Sequence, residues 1–184
     1  MNNGADDAYL VSRAREGFVD AFEVLVVRHR ERAYRVALRT LDDPADAEDV
    51  TQEAFVDAWR GLPSFSGASA FSTWFYRILV NRCLQHRRAR RAGPLSVPLG
   101  SIEPATLQGG SRPEEVAEAR GRSQALREAI AALPDELRTP LVLHQFGEFS
   151  YDEIAAMLDV PPATVRGRIY RARRGLYAAM KEWS

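Results

Sequence analysis

The chain holds one cysteine, Cys83, and one lysine, Lys181, in 184 residues. A single thiol closes no internal disulfide. With no Cys-x-x-Cys pair there is also no framework for structural zinc or an iron–sulfur cluster. No apolar run approaches the roughly 18 residues that a bilayer-spanning helix needs. The first residues, Met-Asn-Asn-Gly-Ala-Asp-Asp, have neither the basic start nor the apolar stretch of a secretory signal, so a cytoplasmic location is expected. Net charge is missing as well, because 25 basic residues balance 25 acidic ones. What is present is an ordinary apolar share of 46%, enough for a packed core. The length suits one domain or two small ones.

The zero net charge hides a segregated pattern. Between Arg39 and Arg60 there is no basic residue, while Asp42, Asp43, Asp46, Glu48, Asp49, Glu53 and Asp57 crowd together. From Arg77 to Arg91 the sign inverts, with six arginines and no acid. A second acid-free block holds Arg166, Arg168, Arg171, Arg173 and Arg174. A genome rich in G and C would favour arginine over lysine but would not cluster it. Planar guanidinium forks suit phosphates and guanine edges, so both blocks are candidate DNA surfaces. Each is also consistent with a solvated helix face.

Periodicity makes the chain all-α. Phe18, Phe22, Leu25, His29, Ala33, Val36 and Ala37 recur at three- and four-residue steps, one face of a long helix. Asp43 is placed to cap the next helix, with Pro44 at its first position. That helix runs to Trp59 and ends at Gly61-Leu62-Pro63. A small-residue loop, Ser64–Ala70, leads into a helix carrying Phe71, Trp74, Phe75, Ile78 and Leu79 and ending in arginines. Residues 92–115 are rich in Gly and Pro and show no period, which predicts a flexible linker between a domain at 1–91 and another at 116–184.

The second domain contains a helix-turn-helix pattern. Ser150 with Glu153 forms a candidate capping box, and Ile154, Ala155 and Leu158 supply an inner face. Asp159-Val160-Pro161 is the turn, and Pro162 suits the start of the second helix. Val165, Ile169 and Leu176 then point inward. Arg166, Gly167, Tyr170, Arg171 and Arg174 remain outside, a basic face shaped for a major groove.

Taken together, Asp46-Ala-Glu-Asp-Val-Thr-Gln-Glu-Ala-Phe55, Ala58-Trp59, Phe71-Ser-Thr-Trp-Phe-Tyr-Arg-Ile78 and Asn81 closely resemble region 2 of bacterial sigma factors. Leu133-Pro-Asp-Glu-Leu-Arg138 and the following helix-turn-helix resemble region 4. A short chain of these two regions and a linker resembles the extracytoplasmic-function (ECF) subfamily, over about residues 8–182. The resemblance implies a non-enzymatic protein without cofactor. Such a protein binds core RNA polymerase, directs it to promoters and helps open the DNA. It implies that Asp46, Glu48, Asp49, Gln52 and Glu53 dock on polymerase. It implies that Ser66, Gly67, Ala68 and Ser69 form the pocket for a flipped base of the single-stranded −10 element. Tyr76, Arg77, Asn81, Arg82, Arg87 and Arg88 would follow on the same DNA. Extrusion costs unstacking, so that pocket must return stacking and edge contacts. For the duplex −35 element it implies Arg166, Gly167, Tyr170 and Arg171 at base edges, with Arg168 and Arg173 leaning to phosphates or packing by their stems and Arg174 on the same outer face. An anti-sigma partner, which could hold the chain at a membrane, is a further implication.

The chain departs from the family in two places. The −10 loop lacks the charged or amide residue common in relatives. Pro162-Ala163 stands where a branched apolar residue and glycine are frequent. Trp74 and Phe75 read as core residues. His29, His86, His144 and Cys83 have no ligand spacing, so no metal site is expected. Two other readings stay open. One is a stand-alone dimeric regulator, which leaves the acidic helix unexplained. The other is an enzyme using the acidic cluster, which has neither a neighbouring histidine nor a nucleophile motif.

Overall fold

The computed structural model describes residues 3–92 and 113–181; the segment read as a linker falls almost wholly outside them. The described residues form helices α1 (Asn3–Arg15), α2 (Val19–Leu41), α3 (Pro44–Gly61), α4 (Phe71–Ala92), α5 (Pro113–Ala132), α6 (Asp135–Gln145), α7 (Tyr151–Leu158) and α8 (Pro162–Ala179). A short 3-10 turn, Leu62–Ser64, follows α3, and no strand occurs among the described residues.

Local chemistry sets the first boundaries. Asp42 takes a left-handed conformation at φ 58° and its N–H caps α2 on the Leu38 carbonyl. Next to it, Asp43 is extended, and its carboxylate accepts from the N–H groups of Ala45 and Asp46 at 2.9 and 3.1 Å. Pro44 fills the first helical position, where no N–H is needed. The chain therefore reverses within two residues, and α2 and α3 pack side by side.

The buried face of α2 holds Phe22, Leu25, His29, Ala33, Val36 and Ala37. Phe18 departs from the expected stripe. It lies just before the helix, half exposed, with the Arg13 guanidinium 3.5 Å above its ring. An aromatic ladder joins the three main helices of this half. Phe55 stacks on Phe75 at 4.4 Å, and Phe22 tilts against Trp59 at 5.0 Å. Phe71 continues the stack at 5.9 Å from Phe75. Gly61 permits Trp74 to approach, since a Cβ there would lie 3.2 Å from the indole.

The second half closes on Leu141, Val142 and Leu143 of α6, Ile154 and Met157 of α7, and Val165, Ile169 and Ala172 of α8. The capping box forms as read. Ser150 Oγ accepts from the Glu153 N–H at 3.2 Å, and Glu153 Oε2 accepts from the Ser150 N–H at 2.9 Å. Asp159 at φ 54° ends α7, and Pro161 and Pro162 start α8. The two halves touch. The segment between α6 and α7 packs against α2 and α4, with the Phe149 ring edge-on to Tyr76 at 4.6 Å.

Candidate nucleic-acid and partner interfaces

Three surfaces carry the chemistry expected from the sequence. The first is the outer side of α3. Asp49, Gln52 and Glu53 are exposed there and, with Val56, Asp57, Arg60 and Arg82, line an open cavity of about 410 Å³. A second hollow of about 310 Å³ adjoins it between Val26, Arg30, Tyr34, Glu48, Thr51, Gln52 and Phe55. The acids are mostly not bare. Asp46 holds Arg90 at 2.6 Å and lies 3.0 Å from His86 Nε2. Glu48 accepts from Arg30 at 2.9 Å and from Gln52 at 3.2 Å. Glu53 and Asp57 share Arg82, at 3.2 and 2.5 Å, and the Arg82 hydrogen bond holds the Asp57 carboxyl below the usual carboxylate range. Asp49 makes no ion pair with any described residue. The face is thus a mosaic of internally balanced charge with Asp49, Gln52 and apolar Val56 outermost.

The second surface is the loop before α4 and the outer stripe of α4. Phe65 is buried against Trp74 at 4.8 Å and anchors the loop. Ser66, Gly67, Ala68 and Ser69 all stand in solvent beyond it. Gly67 sits at φ 76°, which a side chain would strain, and Ser66 Oγ accepts from the Ala68 N–H at 3.3 Å. Arg77, Asn81 and Arg88, one stripe of α4, are exposed. Three neighbours are engaged elsewhere. Arg82 is held by α3. Arg87 donates to the Thr40 carbonyl at 2.9 Å and pairs with Asp135 at 3.0 Å, and burial lowers its guanidinium pKa. Tyr76 differs most from its expected place on DNA. It is fully buried under Phe149, and burial pushes its hydroxyl pKa upward.

The third surface is α8. Val165, Ile169 and Ala172 face inward, while Arg166, Gly167, Tyr170, Arg171, Arg173 and Arg174 are exposed and Arg168 is half-buried. The Arg174 guanidinium lies 5.9 Å from the Tyr170 ring, and that of Arg166 lies 5.9 Å from Tyr151. A Cβ at Gly167 would meet nothing within 4 Å, so the gap in this face is open space rather than packing.

Sequence reasoning assigned no role to Arg138 or Phe149. Arg138 is buried and donates to the Thr40 and Leu133 carbonyls, each at 3.0 Å. Its only sequence signal was its place in the Leu133–Arg138 motif. No group of three or more His, Cys, Asp or Glu among the described residues is arranged to hold a metal ion, and no described helix is long and apolar enough to cross a membrane.

Comparison with known proteins covers most of the chain. Residues 25–93 match sigma-70 region 2, and residues 123–176 match sigma-70 region 4. The chain is 37% identical over 182 residues to the ECF RNA polymerase sigma-E factor of Escherichia coli, covering 96% of this chain and 95% of that protein. It is 35% identical over 181 residues to the RNA polymerase sigma-H factor of Pseudomonas aeruginosa, covering 95% and 94%. Among solved structures it resembles CnrH, determined in complex with the cytosolic domain of CnrY. The TM-score is 0.71 at 28% identity, over 97% of this chain and 99% of that one. It also resembles the sigma factor RpoE of Bartonella quintana, determined with the anti-sigma factor NepR. There the TM-score is 0.69 at 25% identity, over 87% and 96%. The chain belongs to the ECF family of RNA polymerase sigma factors.

Proposed function

We propose that this sigma factor docks on core RNA polymerase through α3 and reads promoter DNA with two separate surfaces. Asp49 and Gln52 lead the contact with polymerase. Asp46, Glu48 and Glu53 shape the same face through their arginine partners. The loop Ser66–Ser69 receives an unstacked base of the −10 element, and Arg77, Asn81 and Arg88 hold the parted strand beside it. Arg166, Gly167, Tyr170 and Arg171 enter the major groove at the −35 element, while Arg168, Arg173 and Arg174 meet phosphates. The protein is not an enzyme and needs no cofactor. Residues 1–91 and 116–184 act as two DNA-reading domains joined by residues 92–115, and they work in the cytoplasm. An anti-sigma protein restrains it, as one binds the relative from Bartonella quintana.

The observation that carries this reading is the outward face of α8. Its arginines and Tyr170 stand in solvent while Val165, Ile169 and Ala172 hold the helix on its domain. A duplex-reading helix needs that division. The test is co-elution with core polymerase followed by transcription from a bound promoter. Asp49→Ala with Gln52→Ala abolishes co-elution. Arg171→Ala leaves co-elution intact and lowers −35-dependent transcription. Equal behaviour of the two variants would overturn the assignment. Tight duplex binding by a dimer without polymerase would favour a stand-alone regulator.

A further inference from the structure

We propose that Asp7 and His29 form a buried brace that positions the loop Ser66–Ser69 for base capture. The functional half of this proposal rests on the reading of that loop as the −10 pocket. The brace itself rests on packing alone.

The brace begins with a carboxylate on an apolar stripe. Asp7, Val11 and Ala14 share one side of α1, and all three are buried. The Asp7 carboxylate accepts from His29 Nε2 at 2.8 Å and from Arg28 at 2.6 Å, one bond to each oxygen. Burial lowers the His29 pKa, so the ring is neutral and its hydrogen lies on the nitrogen facing Asp7. The described apolar residues of α1 in the core are Val11 and Ala14, with Leu10 partly covered. So small an apolar contact sets no register by itself. Two bonds to one buried carboxylate do set it.

From His29 the packing runs unbroken to the loop. Its ring lies 5.5 Å from that of Phe71, the first residue of α4. Phe71 meets Trp74 at 5.9 Å, and Trp74 meets Phe65 at 4.8 Å. Phe65 and Phe71 are the buried ends between which the loop stands exposed. Helix α1 also packs directly on the 3-10 turn before the loop and on α4 after it. The loop does little to place itself. Ser66 Oγ accepts from the Ala68 N–H, and Ser69 Oγ donates to the Ala70 carbonyl at 3.4 Å, both local bonds. Its position is therefore inherited from Phe65 and Phe71, and through them from His29. A pocket for an extruded base must offer its contacts at fixed distances, so it needs ends that do not move. Loosening the Asp7–His29 bond frees α1 and the ring beside Phe71 together. Asp49, Gln52 and the arginines of α8 make none of these contacts, which separates the brace from the other two surfaces.

The first readout is the mobility of a nitroxide on Ser69→Cys in the full chain. Ser69 is exposed, and native Cys83 is fully buried and does not compete for the label. Asp7→Ala or His29→Leu raises that mobility, and His29→Gln, which keeps an N–H for Asp7, does not. The second readout uses unlabelled protein with core polymerase on a promoter that the pair opens. Permanganate reactivity of −10 thymines falls by roughly fivefold or more in Asp7→Ala and His29→Leu, as the competent fraction drops. Core co-elution and −35 duplex affinity stay unchanged in both. A residue that only stabilised the fold would lower all three together. If Asp7→Ala loses helicity by circular dichroism, the same readouts on His29→Leu and His29→Gln decide. Label mobility unchanged in the broken variants, or a parallel fall in core binding, overturns the brace. Raised mobility with promoter opening intact strikes the −10 reading of the loop, and the functional half of the proposal falls with it.

Discussion

Single residues in this fold earn their chemistry from burial. Cys83 is fully enclosed, and burial pushes its thiol up to about 12, so it is a packing residue rather than a reactive one. His29 is the more informative case. It is buried on α2, 2.8 Å from Asp7, with Arg28 bonded to the same carboxylate at 2.6 Å. Burial is the leading influence and lowers its pKa from the ordinary 6.5, with the Asp7 hydrogen bond and charge opposing and Arg32 and Arg28 assisting. A lowered folded-state value means that the unfolded chain binds the proton more readily. Stability is therefore full above about 6.5 and falls as the pH drops through the folded-state pKa. The melting temperature should decline on acidification below pH of about 6.5, and His29→Gln should flatten that decline. A slope unchanged in the variant would remove His29 as its source.

The helices show which signals are local. The caps at Asp43 and Ser150 were readable from the sequence because each is complete within four residues. Ser150→Ala removes the acceptor for the Glu153 N–H and half of the capping box. It should cost about 1 kcal/mol and lower the melting temperature by about 3 °C. Because α7 supports α8, the variant should also weaken −35 binding without touching DNA. A thermal melt and a −35 duplex titration check both. The α8 face was readable for the same reason, since a 3.6-residue period sorts Val165 and Ile169 from Arg166 and Tyr170 within one helix. The α3 and α4 charge blocks were only half readable. Their signs are plain in the sequence, but not that Arg82 serves Glu53 and Asp57, or that Arg90 serves Asp46. Those pairs depend on how two helices are laid together. Tyr76 shows the same limit more sharply. Its position on α4 suited DNA, but it is buried, packed on Phe75 of its own helix and edge-on to Phe149, a residue of the distant half.

At the scale of the whole molecule, the two halves meet through a seam that mixes an aromatic contact with buried cations. Arg138 is its most exacting member. A buried guanidinium is tolerated only when its donors are used, and Arg138 uses two on the Thr40 and Leu133 carbonyls while Nε has no partner among the described residues. One bond ties α6 to its own half and the other ties it to α2. A hydrogen bond from a charged donor contributes about 1.5–3 kcal/mol, so losing the Thr40 bond is enough to weaken the coupling between halves substantially. Arg138→Met keeps an unbranched side chain of similar length while removing both donors. Scanning calorimetry of the parent chain should give one transition, because the seam makes the halves melt together. In Arg138→Met a lower-temperature transition should separate from the main one, with the second half unfolding first. A single transition merely moved to lower temperature would place the coupling in the Phe149–Tyr76 contact and leave Arg138 serving α6 alone. Combining Arg138→Met with Phe149→Ala decides between these. If both residues hold one seam, the double variant should lose less coupling than the two single losses added together, since each loss already loosens the other's contact.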